Sequence, residues 1–336
     1  MTDTPLLQAR DLHVRFNAVR AVDGVDLDVQ PGETLAIVGE SGCGKTTLGR
    51  ALAMLQKPST GSISFAGTEL TGLSARRLRD ARRQLQMVFQ DPYASLDPRQ
   101  RVGDIVGEPL LIAGVAKAAR RKKVAELLDM VGLGADMALR FPREFSGGQR
   151  QRIGIARALA IEPRLIICDE PLSALDVSIQ AQIVNLLIDL QRRFRLTYVF
   201  ISHDLAVVRQ MASRVAVMYL GRIVELAETE ALFQAPRHPY TVALLSAVPT
   251  LAGTEGLVKE EILLTGDPPS PARVPLGCRF HTRCWLRKKL DDPSQCLASE
   301  PKAEGEGHHV AACHFADKVA SVMPASSHMR KSKGAA

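Results

Sequence analysis

Aromatic side chains are scarce in this chain: one Trp, four Tyr and ten Phe make up 4% of its 336 residues. Stacking platforms for single-stranded nucleic acid need more than this, so no nucleic-acid partner is expected. Long apolar runs are missing too; none approaches the roughly 18–20 residues needed to span a bilayer. The first thirty residues hold no basic-then-apolar secretion signal. The expectation is a soluble, cytosolic protein that meets a membrane only through partners. There is no internal repeat and no CxxC pair.

What is present is core material, with hydrophobic residues at 46%. The length suits one large domain, or one domain with an appendage. The net charge of +7 is spread over short basic runs at Arg76 to Arg83, Arg120 to Lys123 and Arg287 to Lys289. These read as solvated helix faces.

The run Gly39-Glu40-Ser41-Gly42-Cys43-Gly44-Lys45-Thr46-Thr47 fits the phosphate-binding pattern GxxxxGK[ST]. The apolar run Leu35-Ala36-Ile37-Val38 before it reads as a buried strand, and Leu48 to Leu55 after it as a helix, which is the context the pattern requires. The glycines let successive N–H groups face one point, and the helix start adds partial positive charge. Lys45 would reach the outer phosphates, and the Thr46 hydroxyl is placed to hold Mg²⁺.

Residues 6–30 alternate apolar and polar, as strands do. Short strands are expected at Ser62 to Phe65, closing at Gln90, and at 165–168, 198–201 and 214–225. Helices are expected at 74–86, through 100–140 with a break at Gly132 and Gly134, from Ser146 to about Ala160, and along Ile179, Ile183, Leu187 and Leu190. Strands alternating with helices predict an α/β core with parallel strands. From about residue 234 prolines crowd in, predicting an extension of loops and short elements. The tail from Val319 reads as disordered.

Leu165-Ile166-Ile167-Cys168 ends in two acids. Asp169 takes the strand-end position that helps hold Mg²⁺ through water, and Glu170 would polarise the attacking water. Ser146-Gly147-Gly148-Gln149 places a serine and two glycines at a second helix start, again suited to an anion. It lies too far along to belong to the first loop.

With these three elements the chain resembles the ATP-binding-cassette (ABC) ATPases. The resemblance implies a RecA-like core, a helical subdomain at about 91–160 and an antiparallel β subdomain, all within 1–234. A transporter-type extension over 235–318 and a tail over 319–336 would follow. It also implies roles for further residues: Gln90 as Mg²⁺ sensor and relay, Ser173 to Asp176 as a loop crossing between two nucleotide sites, His203 as a γ-phosphate contact, and Phe16 as an adenine-stacking aromatic (a core phenylalanine being the competing reading). The runs Phe89 to Arg99, Gly107 to Leu110, Phe145 to Arg152 and Arg237-His238-Pro239-Tyr240-Thr241 are similar to dipeptide and oligopeptide importers, in particular to the F-type of two unlike ATPases.

That likeness implies ATP and Mg²⁺ as ligands. The partners would be a homologous second ATPase, two transmembrane permeases and a substrate-binding protein, with the chain on the cytoplasmic face of the membrane. Relatives also handle nickel chelates, glutathione or antimicrobial peptides. A chromosomal ATPase would need a long coiled coil between Gly44 and Ser146, a translation factor would need two sets of motifs, and a binding module without catalysis would not need Lys45, Asp169, Glu170 and His203 intact.

Cys43 and Cys168 read as packing residues. Cys278, Cys284, Cys296 and Cys313 fall within a short stretch, where a reducing compartment disfavours disulfides. All-thiolate ligation suits a [4Fe–4S] cluster or zinc, and free thiols are the third reading. His281, His308, His309 and His314 lie near enough in sequence to substitute.

Overall fold

The alternating segment at the start forms two long paired strands, β1 (Leu7–Phe16) and β2 (Val19–Val29). They join β4 (Thr60–Phe65) and β5 (Thr68–Glu69) in an antiparallel sheet of order β2-β1-β4-β5. One face is buried: Leu7, Ala9, Leu12 and Val14 alternate with more exposed neighbours, the pattern of a half-covered sheet. The computed structural model describes residues 4–247, 261–306 and 308–323.

The continuous apolar runs become the central strands of a second sheet. These are β3 (Thr34–Val38), β6 (Leu85–Val88), β7 (Leu165–Asp169), β8 (Thr197–Ile201) and β9 (Arg214–Tyr219), running parallel in the order β9-β3-β8-β7-β6. Every residue of β3, β7 and β8 is buried, as strands covered on both faces must be. Register puts Ile37 beside Ile201 and Asp169 beside Ile201. The carboxyl ends of β3, β7 and β8 therefore lie side by side, the edge at which open α/β sheets bind ligands.

Between β6 and β7 the described chain is helical: Pro92–Ser95, Val102–Ile112, Lys117–Met130, two 3₁₀ turns and Gly147–Leu159. The helical stretch breaks at Gly132 and Gly134, as expected, with φ 73 and φ 86; a further break at Gly114 (φ 83), which closes one helix and redirects the chain, was not foreseen. The strand expected to include Gln90 ends at Val88. A helix at Leu205–Met211, capped by the Asp204 carboxylate on the N–H groups of Ala206 and Val207, was not foreseen.

β10 (Arg222–Glu228) pairs antiparallel with β9. The extension holds short elements, as expected, and two of them, β11 (Glu304–Glu306) and β12 (His309–Ala311), extend the same sheet through β10. Helices Pro239–Ser246, Trp285–Lys289 and Ala316–Val322 pack beside it. Val319, expected to open a disordered tail, is fully buried in the last of these helices, so apolar packing overrides the weak local signal. The rest of that tail, 324–336, lies outside the described residues. Among the described residues no helix is long and apolar enough to cross a membrane.

Candidate nucleotide site

β3 delivers the chain to the 39–47 loop, and the helix Lys45–Leu52 leaves it. Gly39 (φ 154) and Gly44 (φ 109) are required here: a Cβ at Gly39 would meet the Met218 carbonyl oxygen at 2.2 Å, and one at Gly44 the Ala21 carbonyl oxygen at 2.1 Å. The helix that follows has no acidic residue in its first turn, so its N-terminal positive end is left for an anion. Lys45 is buried, and its Nζ donates to the carbonyls of Gly39 (2.8 Å) and Glu40 (3.0 Å).

Thr46 Oγ1 donates to Asp169 Oδ1 at 2.9 Å. Asp169 is 1% exposed and its Oδ2 is buried with no hydrogen-bond partner. Burial pushes its carboxyl above the ordinary range, aided by Glu170 and opposed by Thr46, Arg50 and Lys45. A buried carboxylate oxygen without a donor fits a cation held directly or through water, so Thr46 and Asp169 are suited to Mg²⁺.

Glu170 is the hub. It takes φ 43, a strained conformation for a non-glycine residue, with its N–H on the Ile201 carbonyl at 3.0 Å. Its carboxylate accepts from Gln90 Nε2 (3.0 Å) and stands 3.6 Å from His203 Nδ1 and 3.8 Å from Lys45 Nζ. Residues from just beyond β6, β7 and β8 and from the start of the helix Lys45–Leu52 thus meet at one carboxylate.

The 146–149 segment lies elsewhere. Ser146 and Gln149 are exposed and form a capping box: Ser146 Oγ accepts the Gln149 N–H, and Gln149 Oε1 accepts the Ser146 N–H. A Cβ at Gly148 would meet Ile179 Cγ2 at 2.4 Å, so this glycine lets the helix lie close against Val177–Phe194. Asp176, at the start of that second helix, is exposed and makes no side-chain cap bond. Among the described residues no hydrogen bond joins 146–149 to 39–47. Phe16 is 45% exposed, which removes the core reading of that residue and leaves its ring free.

The four C-terminal cysteines converge. Cys278, Cys284, Cys296 and Cys313 line one cavity of about 10 Å³ together with His281 and His314. Burial pushes the thiols up, to about 12 for Cys278 and Cys313 and about 11 for Cys284, with smaller contributions from the neighbouring sulfurs. His309 is drawn instead to Glu225 (2.7 Å), and His308 is exposed. Among the described residues no group of three or more His, Cys, Asp or Glu is arranged around a single metal ion.

Sequence reading missed the residues that hold the phosphate loop from outside. The Tyr240 hydroxyl accepts the Glu40 N–H at 2.7 Å, and Arg283 grips the Glu40 carboxylate through both Nη atoms at 2.7 and 3.1 Å. Arg279 forms a buried pair with Asp23 (2.6 Å) and donates to the Leu220 carbonyl. Of these residues sequence reading singles out only Tyr240, within the run 237–241, and not for a contact with the loop.

Residues 22–173 match the family model described as ABC transporter, and residues 224–290 that of the oligopeptide/dipeptide transporter C-terminal region. The oligopeptide transport ATP-binding protein AppF of Bacillus subtilis is 52% identical, covering 88% of this chain and 90% of its own length. The di/tripeptide transport ATP-binding protein DppF of Pseudomonas aeruginosa is 48% identical over 93% and 98%. Among solved structures, the dimeric post-hydrolysis state of the ATP-binding cassette MJ0796 bound to ADP and Pi aligns with a TM-score of 0.60 and 28% identity, over 66% of this chain and 98% of that one. The chain is an ATPase of the ABC transporter family, in the branch of ATP-binding proteins that carry the oligopeptide/dipeptide transporter C-terminal region.

Proposed function

We propose that this chain powers the uptake of dipeptides or oligopeptides. It works on the cytoplasmic face of a membrane, paired with a second, unlike ATPase and docked on two permeases that receive peptide from a binding protein. The names of its relatives and its matching C-terminal region support the peptide substrate. The observation that carries the mechanism is the convergence of Lys45, Gln90 and His203 on Glu170, while among the described residues the chain's own Ser146 helix bonds none of them. Half of an anion site faces each way, so two chains arranged head to tail complete two sites.

In this reading the 39–47 backbone and Lys45 bind the triphosphate, and Phe16 stacks on adenine. Mg²⁺, held by Thr46, Asp169 and Gln90, would neutralise phosphate charge. Glu170 orients the attacking water and takes its proton as the γ-phosphorus–oxygen bond to ADP breaks. His203 contacts the γ-phosphate, and Asp176 acts at the crossing between sites. The Ser146, Gly147, Gly148 and Gln149 helix start closes on the partner's ATP, so closure depends on nucleotide and hydrolysis reopens the pair. Gln90 and the loop after it pass this change to the permeases.

The four cysteines are proposed to hold one [4Fe–4S] cluster, which would staple the extension. The support is that all four thiols line one cavity, in the ligand number a cubane takes. Iron and acid-labile sulfide in anaerobically purified protein test it; absence of both ends the idea. The transport reading is tested in vesicles carrying the whole complex. ATP-driven entry of labelled dipeptide is expected, stopped by Glu170→Gln. Entry of a nickel chelate or glutathione with no peptide uptake would refute the substrate class.

A further inference from the structure

Glu40, the second residue of the phosphate loop, has both polar handles taken by the C-terminal segment. Tyr240 Oη accepts its N–H, and Arg283 closes on its carboxylate with the two-pronged geometry only a guanidinium offers. Arg283 is buried, at 7% exposed, while the Glu40 side chain is half-buried, so the pair is partly shielded from solvent. Its backing is rigid: Tyr240, fully buried, packs on Tyr219 (ring centroids 4.7 Å) and Phe280 (5.4 Å). Arg279, on the same Cys278–Cys284 turn, is fastened to Asp23 and the Leu220 carbonyl. One residue on, Gly221 donates its N–H to the Cys43 carbonyl inside the loop at 2.9 Å. On the loop side, the Glu40 carbonyl accepts Lys45 Nζ at 3.0 Å and the Cys43 N–H at 3.3 Å. A shift of Glu40 is therefore a shift of the atoms that place Lys45 and the loop amides.

We propose that Arg283, acting through Glu40 and assisted by Tyr240, is a positioning residue for ATP: the C-terminal extension pre-shapes the phosphate loop for the triphosphate. This rests on the 39–47 loop being the nucleotide site. A purely structural Arg283 would pin the extension down without changing nucleotide affinity.

The test uses the full chain with a fluorescent ATP analogue, ATPase kinetics and thermal melting. Loss of a charge-assisted bidentate contact predicts ATP binding about ten-fold weaker in Arg283→Ala. KM should rise in parallel while kcat at saturation stays within about two-fold, since the chemistry at Glu170 is untouched. Arg283→Lys, with the charge but not the fork, should recover part of the affinity. Adding Arg283→Ala to Glu40→Gln should cost less than about two-fold more, because the two act through one contact. Unchanged affinity in a folded Arg283→Ala, or full additivity with Glu40→Gln, overturns the proposal. Should Arg283→Ala not fold, Tyr240→Phe and Glu40→Gln decide: both binding ATP as the wild type does is the refuting result. Lys45→Ala is the control. Retained affinity there sinks the nucleotide-site reading itself, whereas its loss beside a normal Arg283→Ala sinks only this inference.

Discussion

Glu170→Gln separates binding from chemistry. Gln keeps the size of the side chain and an oxygen to accept the 3.0 Å bond from Gln90, but loses the charge 3.8 Å from Lys45 Nζ. Loss of a general base predicts turnover lower by about 10²–10⁴-fold. Binding should move the other way. The attraction between Glu170 and Lys45 is at most about 4 kcal/mol at that separation and an effective dielectric of 20. Most of it is not released on binding, because Lys45 also holds the Gly39 and Glu40 carbonyls. A few-fold tightening of ATP is the expected remainder. Single-turnover release of labelled phosphate and a nucleotide titration on the same preparation read both effects. Turnover within about three-fold of wild type, or ATP binding weakened more than about ten-fold, would refute Glu170 as the base.

Three further outcomes follow from the geometry. Gly39→Ala forces a Cβ to 2.2 Å from the Met218 carbonyl oxygen, so ATP binding should be lost with little protein left folded at 37 °C; a soluble, ATP-binding variant contradicts the close approach. Burial lowers His238 to about 4, so this histidine favours the folded state fully above the unfolded value near 6.5 and progressively less as pH falls towards 4. Across that window His238→Asn, which keeps an acceptor for the Tyr240 N–H, should remove about 3 kcal/mol of pH dependence from denaturant unfolding, and an unchanged slope tells against it. Asp23 is desolvated, yet Arg279 and His13 hold its carboxyl below the ordinary range, so the pair stabilises above that range and fades as pH drops through the depressed value. Arg279→Met should cost about 3 kcal/mol at pH 7, less below pH 4, and a pH-independent cost would show that Asp23 is not the partner that matters.

The candidate nucleotide site was legible because phosphate chemistry constrains the chain locally. Gly39, Gly44, Lys45 and Thr46 must stand at fixed spacing after a buried strand, and a buried β7 ending in Asp169 with Glu170 next announces itself. The sheet core was legible for the same reason: β3, β7 and β8 are short apolar runs with turn residues at their ends. The clamp on Glu40 was not, since Arg283 and Tyr240 are distant in sequence and an arginine in a loop carries no signal of what it will touch. Helix Leu205–Met211 escaped because seven residues give barely two turns of periodicity. The break at Gly114 was missed where that at Gly132 and Gly134 was read, because a lone glycine signals a stop less clearly than a close pair. The gathering of four cysteines around one cavity was expected only from their crowding in sequence, because irregular spacings do not specify a shared centre.

The central claim is that each ATP is enclosed by two chains. Its most direct measurement is the structure of the Glu170→Gln chain with the proposed partner ATPase, locked with ATP and Mg²⁺. The account predicts the Ser146 hydroxyl and the Gly147 and Gly148 N–H groups on the γ-phosphate of the ATP seated in the partner subunit's loop. A Ser146 facing solvent, or closing on the ATP that its own Lys45 holds, would contradict it.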